Sequence, residues 1–485
     1  MKTLNESDHV KREVLIRVAR ALYTATPAAL DRIPIDMRPK GKPSSRCCIY
    51  KDRAALRYRV MAALGFREED ETDELKPLAQ YAAEVPQRIR APEPFISILT
   101  EGCSACLNNQ TLVTDLCRGC LARPCVASCP QNAIRIQNGH SEIDRTRCVN
   151  CGLCTRACPF HAIVQVQLAC ATACPVDAVG KTADGRVAID HSRCIRCGRC
   201  ATACPFGAIM ACSQMADVIL KIKGGHRVIA LPAPALLGIF PNAPGKLNAA
   251  LLKLGFSAVY DVAAGADETA RLEAAELEER CAAGEPFMTT SCCPAWVEAT
   301  RRVYPELARY VSRTPSPMRL AAARARAENP DASLVFIGPC AAKRTEASQA
   351  GIPDHVLTTE ELGAMLVATE TDIDSCTAAA PAVTGTRAGF GFAASGGVAA
   401  AIAAHSPSAH PTTTFLVNGL TPKTLRLLAS FAKQKKAPGS LVEVMCCEGG
   451  CVAGPCSFEN GTRAASRLSA ALQTMPEGCK SAEKG

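Results

Sequence analysis

Cysteine sets the chemistry open to this chain: 29 of its 485 residues are cysteine, and most fall in repeated spacings. The segments "CVNCGLCTRACPFHAI" and "CIRCGRCATACPFGAI" both carry C-x2-C-x2-C-x3-C-P. Ahead of them stand Cys125 and Cys129 in one copy, Cys170 and Cys174 in the other, and the copies repeat every 45 to 46 residues. Three cysteines of such a run hold one [4Fe–4S] cluster, and the fourth, before proline, reaches a neighbouring one. Cys-x2-Cys pairs also build zinc ribbons. A duplicated cysteine triplet with a remote Cys-Pro suits iron–sulfur clusters better.

Counting assigns the ligands. Cys117, Cys120 and Cys125 join Cys158; Cys148, Cys151 and Cys154 join Cys129; Cys194, Cys197 and Cys200 join Cys174. The gap between Cys120 and Cys125 is longer than usual, which a longer loop accommodates. Cys170 and Cys204 then lack two partners, because the positions matching Cys117 and Cys120 fall near Ala162 and Gln165. Upstream, "EGCSAC" offers Cys103 and Cys106, so the expectation is four clusters on sixteen cysteines. The alternative leaves Cys103 and Cys106 idle.

The elements that must position the remaining cysteines begin after residue 216. Apolar runs such as "HRVIALPA", "SLVFIGP" and "SLVEVM" alternate with amphipathic segments such as "PAWVEATRRVYPELARYV", the pattern of an α/β domain. Two of the runs lead directly into cysteine loops, and "FMTTSCCPAW" precedes a helix. Loops at the carboxyl ends of strands are where open α/β sheets place their sites.

"TSCCPAW", "PCAAKRTE" and "EVMCCEGGC" resemble the three signature loops of [FeFe]-hydrogenases, in order and at suitable separations. Pro294-Ala295 and a third loop without its usual glycine triplet resemble the subgroup called group B. The resemblance implies an α/β catalytic domain of the hydrogenase large-domain type, preceded by α+β ferredoxin-like domains and a helical N-terminal segment. It implies an H-cluster, a [4Fe–4S] cubane joined to a two-iron unit that carries CO, cyanide and azadithiolate and is supplied by maturation proteins. By motif, Cys293, Cys340, Cys447 and Cys451 would hold the cubane, Cys451 bridging to the two-iron unit. Lys343 matches a lysine that hydrogen-bonds cyanide, and Met445 a methionine packed near the bridging CO. Glu346 reads equally well as an ion-pair partner. Cys292 matches a thiol that passes protons, followed by Glu273, Ser312, Glu276 and Arg280 in "DVAAGADETARLEAAELEER" and "ELARYVSRTPSPM". Taken alone, Glu273 and Glu276 would be an ordinary solvated helix face.

The implied activity is reversible H2 oxidation and proton reduction, with electrons exchanged with ferredoxin or a similar carrier in an anaerobic cytoplasm. A redox or H2 sensor, or a non-catalytic iron–sulfur protein, are the alternatives. The start of the chain lacks the apolar region of a signal peptide, and no apolar run reaches the length of a membrane span. The formal charge of +9 treats cysteines as neutral, so it gives little support to nucleic-acid binding. The expected divisions are 1–98, helical; 99–215, iron–sulfur; 216–460, catalytic; and 461–485, a tail. Gly338, Met318 and Ala235 depart from better-known relatives near the pocket. Cys212, Cys281, Cys376 and Cys479 have no motif, and Cys456 is additional. Cys446 receives no ligand role; its plainest reading is a small buried residue, and the functional alternative is a thiol that tunes or protects the cluster.

Overall fold

The computed structural model describes residues 5–41, 44, 46–88, 93–104, 106–107, 109–183, 185–240, 244–406 and 412–475. Cys479 lies outside them. Two parallel sheets carry the C-terminal half. One runs Ala258–Val259, Val228–Pro232, Ser333–Gly338, His355–Thr358; the other runs Met288–Thr289, Leu441–Met445, Thr414–Asn418. Register is set by Ser333 opposite Val228, Val335 opposite His355, and Leu441 opposite both Met288 and Thr414. Every residue of Val228–Pro232 and Leu441–Met445 is buried, as expected of parallel strands covered on both faces.

Helix Val262–Ala282 packs on Pro317–Glu328. The approach is close because Gly265 has no side chain: an added Cβ would sit 2.3 Å from the Pro317 carbonyl oxygen. Helix Lys343–Ala350, which follows the second cysteine loop, is fixed by Arg344. Its Nη2 donates to both carboxylate oxygens of Glu361 at 2.7 Å, and both side chains are buried. Removing one member of such a pair strands a buried charge, at a cost of roughly 3–5 kcal/mol.

The duplicated region folds as two small modules. Each has a hairpin, Ile134–Gln137 with His140–Ile143 and Val179–Lys181 with Val187–Ile189. Each is closed by a second antiparallel pair, Gln110–Val113 with Ile163–Val166 and Ile96–Ile98 with Ile209–Ala211. Ile96–Ile98 is therefore part of the second module, although the expected division at 98 put it with the N-terminal helices. Periodicity had no means of revealing so short a strand with so distant a partner.

Helices Glu6–Tyr23, Ala28–Met37 and Ile49–Ala63 pack with one another. Glu6–Tyr23 also lies along Thr359–Ala368 of the C-terminal half, where Lys11 pairs with Glu360. On the other side, Arg59 Nη2 donates to the carbonyls of Phe206 and Gly207 at 2.9 and 3.2 Å, and Arg46 to that of Gly102 at 3.0 Å. The helical region thus touches both the second module and the α/β half. Residues Gly461–Thr474, expected within a tail, form a helix with Ala464 and Leu468 buried, packed on Leu236–Ile239.

Candidate metal-cofactor site

The three cysteine loops leave the carboxyl ends of Met288–Thr289, Ser333–Gly338 and Leu441–Met445 and meet at one cavity. Cys292, Cys293, Cys340, Cys447 and Cys451 line it, with Lys343 and Met445. The first loop ends in helix Pro294–Arg302, whose proline at the first position costs no hydrogen bond. The third turns through Gly449 and Gly450, at φ of 87° and 92°. At Gly450 a Cβ would come within 2.6 Å of the Ala393 carbonyl and the Ser395 amide, so the turn that presents Cys451 requires glycine. Cys451 owes its accessible surface to facing this cavity.

The four ligand candidates face one another. Burial, then the sulfurs of Cys447, Cys293 and Cys451, push the Cys340 thiol well above its usual value. Burial, Cys293 and Cys447 raise Cys451 to about 12. Four soft sulfurs crowded in a buried space fit a polynuclear iron cluster, whose positive irons would hold them as thiolates. Among the described residues, no three His, Cys, Asp or Glu side chains close on a single-ion point. Lys343 is the cation of the wall: its Nζ donates to Glu346 Oε2 at 2.6 Å, Ser316 Oγ at 3.1 Å and the Cys292 carbonyl at 3.3 Å. Burial works to lower the lysine, but Glu346 outweighs it and the ammonium is held. Ser316 was not singled out from sequence; it joins Glu346 to Lys343 by accepting from one and donating to the other.

Several of the remaining cysteines neighbour one another. Cys117, Cys120, Cys125 and Cys158 line one cavity. Cys154 neighbours Cys148 and Cys151, and Cys200 neighbours Cys197, Cys194 and Cys174. Cys106 lies beside Cys103 and Cys204, and Cys170 beside Cys204 and Cys106. Cys129, Cys174 and Cys204 each accept a bond from the amide four residues on, at 3.3, 3.2 and 3.4 Å. Amides aimed at cysteine sulfur are the outer-shell partners that orient and tune cluster ligands.

Residues 226–455 match the family described as "Iron only hydrogenase large subunit, C-terminal domain". The α/β half is thus similar to that domain. Residues 116–162 match a 4Fe-4S dicluster domain and 187–210 a 4Fe-4S binding domain. Iron hydrogenase 1 of Clostridium pasteurianum is 33% identical over 254 residues, covering 46% of this chain and 43% of that protein. The periplasmic [Fe] hydrogenase large subunit of Nitratidesulfovibrio vulgaris is 35% identical over 254 residues, covering 46% and 57%. The chain therefore spans about half the length of the curated relatives it matches. An [FeFe]-hydrogenase of Chlamydomonas reinhardtii aligns over 54% of this chain and 88% of its own, at 24% identity and a TM-score of 0.45.

Behind the cavity of the α/β half runs a buried polar line. Glu273, fully buried on helix Val262–Ala282, adjoins Cys292. Glu273 Oε1 accepts from the Ser291 amide at 2.9 Å and lies 3.0 Å from its hydroxyl, while Oε2 has no partner among the described residues. Ser312 Oγ donates to Glu276 Oε2 at 2.7 Å, and Arg280 donates to Glu276 Oε1 at 2.8 and 2.9 Å. Arg313 adds its backbone amide at 3.0 Å and its exposed guanidinium at 3.2 Å. Arg280 also donates to the carbonyls of Arg309 and Val311, so it orients Glu276, while Arg313 is the arginine that meets solvent. Ser291 and Arg313 escaped sequence reasoning, although each directly adjoins a residue that did not.

Burial lifts Glu273 to about 7 against the pull of Ser291. Burial would raise Glu276 too, but Ser312, the Arg313 amide and Arg280 overcome it and hold it at about 2.

Two predictions follow from this geometry. The Cys103→Ala/Cys106→Ala variant should lose the iron of one cubane, read by iron analysis; an unchanged iron content contradicts the fourth ligand set. The second concerns Glu273, whose folded value of about 7 lies above the ordinary 4.5. Its contribution to stability is therefore present below about pH 4 and lost as pH rises through about 7. Glu273→Gln should flatten the fall in melting temperature between about pH 5 and 8, whereas an unaltered pH profile would contradict a buried, protonated carboxyl.

Proposed function

We propose that this chain catalyses reversible H2 oxidation and proton reduction at an H-cluster, with Cys293, Cys340, Cys447 and Cys451 holding its cubane. The carrying observation is the convergence of these cysteines, Lys343 and Met445 on one buried cavity, with Cys292 at its wall and Glu273 behind. When bound, the H-cluster supplies the redox-active iron at which H2 is split or formed. The domain matched by residues 226–455 supports this reading. Pro294-Ala295 and a third loop that ends "VAGPC" without the usual glycine triplet support placing it in group B.

The chain's residues divide the remaining work. Lys343, fixed by Glu346 and Ser316, offers a held ammonium to an anionic ligand such as cyanide. Met445, buried at a strand end, closes the wall beside it. Burial keeps the Cys292 thiol protonated, so it can give and take a proton at Sγ without becoming a cluster ligand. Glu273, at about 7, is matched to proton exchange near neutral pH, where a relay group works best. Ser312 spans to Glu276, and Arg313 opens the line to solvent.

Electrons would pass along four relay clusters on the sixteen remaining ligand cysteines. The first module exposes Leu116, Leu121, Val149 and Phe160 among exposed Arg118, Arg123, Arg147 and Arg156. An apolar surface ringed by arginine suits an acidic carrier such as ferredoxin. Maturation proteins would supply the two-iron unit. Among the described residues, no helix is long and apolar enough to cross a membrane.

A sensor on the same scaffold is the second reading, favoured by one observation: Ala235 and Met318 line the cavity without a side-chain hydroxyl or amide. Fewer hydrogen bonds to the bound ligands would slow turnover. In the matured protein, Cys292→Ala and Glu273→Gln should each lower H2 turnover roughly 10²-fold or more with iron content unchanged. Turnover near that of the unmodified protein in both variants contradicts the proton line, and absence of H2 turnover in the unmodified matured protein favours the sensor.

A further inference from the structure

Cys47 and Cys48 belong to none of the ligand sets counted above, and neither lines the cofactor cavity. Both are exposed. Side chains of neighbouring residues on extended backbone point to opposite sides. Here the chain bends over residues 46–48, and the two sulfurs lie 4.0 Å apart, the Cys47 thiol donating to that of Cys48.

The bend is built on a buried carboxylate. Asp52, 4% exposed, accepts from Ser44 Oγ at 2.6 Å and lies 3.5 Å from Arg46 Nε. The Arg46 amide donates to Ser44 Oγ at 3.2 Å, and its guanidinium to the Gly102 carbonyl at 3.0 Å. Lys51 faces Glu101 at 3.6 Å. The backbone on both sides of the pair is thus tied down, to Asp52 and to the turn Thr100–Gly102, while the sulfurs themselves meet solvent. Cys48 also opens helix Ile49–Ala63. The amides of the first turn, that of Lys51 foremost, draw its thiol below the ordinary value, as expected at a helix N-terminus.

We propose that Cys47 and Cys48 form a second redox site, a dithiol that takes low-molecular-weight disulfides as its oxidant and thiols as its reductant. The Cys48 thiolate attacks one sulfur of the oxidant. That S–S bond breaks, a mixed disulfide forms on Cys48, and the first thiolate leaves. The Cys47 thiolate then attacks Cys48 Sγ, closing the Cys47–Cys48 bond and expelling the second thiolate. Two electrons pass from the pair to the oxidant, and the two protons of the pair end on the released thiols. Such exchange depends on thiolate character and access, which the helix start and the exposure supply. Adjacent Cα atoms stand about 3.8 Å apart, closer than the roughly 4.4–6.8 Å of ordinary disulfides. The product is therefore strained and readily reduced by an external thiol, so the pair closes only where disulfide is in excess. The chemistry needs neither the cubanes nor the two-iron unit.

The test exposes the iron-loaded full chain, without oxygen, to excess oxidised glutathione, alkylates the free thiols and weighs the peptide that contains residues 47 and 48. We expect this peptide to lose both alkyl groups and two hydrogens, to carry no glutathione, and to regain full alkylation after treatment with dithiothreitol. Cys47→Ser should instead retain one glutathione on Cys48, because no second thiol remains to expel it. Alkylation of both cysteines after the exposure overturns the proposal. So does glutathione persisting on the unmodified pair, or a bond from either residue to a cysteine elsewhere. The unmodified protein suffices for all three of these outcomes, whether or not Cys47→Ser folds.

Discussion

Four sulfurs from three separate loops meet in one buried cavity, and the rest of the structure can be understood as what that meeting requires. Isolated thiolates at this depth would be untenable: burial and mutual repulsion force Cys340 and Cys451 toward the neutral form. A polynuclear iron cluster removes the difficulty by offering positive charge to each sulfur. Delivering the sulfurs from distant parts of the chain requires strand ends that face a common space. In each of the two parallel sheets the carboxyl ends share one edge, and loops from both edges line the cavity. The buried runs Ser333–Gly338 and Leu441–Met445 are thus the supports of the second and third loops. Gly450, Pro294 and the Arg344–Glu361 pair then fix the loops at the ends of those supports.

The proposed chemistry creates a second requirement, because protons would have to leave a cavity lined mostly by apolar side chains. Glu273 and Glu276 stand one helical turn apart, yet their environments drive them in opposite directions. Glu273 is fully buried with one oxygen unpartnered among the described residues, and rises to about 7. Glu276 is surrounded by donors and falls to about 2. Two carboxyls whose environments separate them in this way can hold different protonation states at the same pH. The serines and arginines around them supply the difference.

Much of this was legible in the sequence because iron–sulfur ligation is a local constraint. Spacings such as C-x2-C-x2-C report the loop that wraps a cubane, and Cys117, Cys120, Cys125 and Cys158 line one cavity in the structure. The pairing of Cys103 and Cys106 with Cys170 and Cys204 was reached by elimination, and the fold sets Cys106 beside Cys204 and Cys170. The apolar runs before the loops were equally plain. Long-range partners were less so. Ile96–Ile98 joins Ile209–Ala211 across more than a hundred residues of chain, and three residues carry too little pattern to announce it. Arg199 has no motif of its own, and only the fold shows it gripping the carbonyls of Leu420 and Cys446. Cys446 received no ligand role because ligand counting leaves it outside every cluster.

The account stands on the claim that the cavity of Cys293, Cys340, Cys447 and Cys451 holds a cubane bearing a two-iron unit, with Lys343 and Met445 beside it. Infrared spectroscopy of the protein matured with its two-iron unit tests this most directly. The account predicts CO and cyanide stretching bands in the matured protein, with the cyanide bands displaced in Lys343→Met. A matured, iron-replete protein that shows no such bands would contradict it.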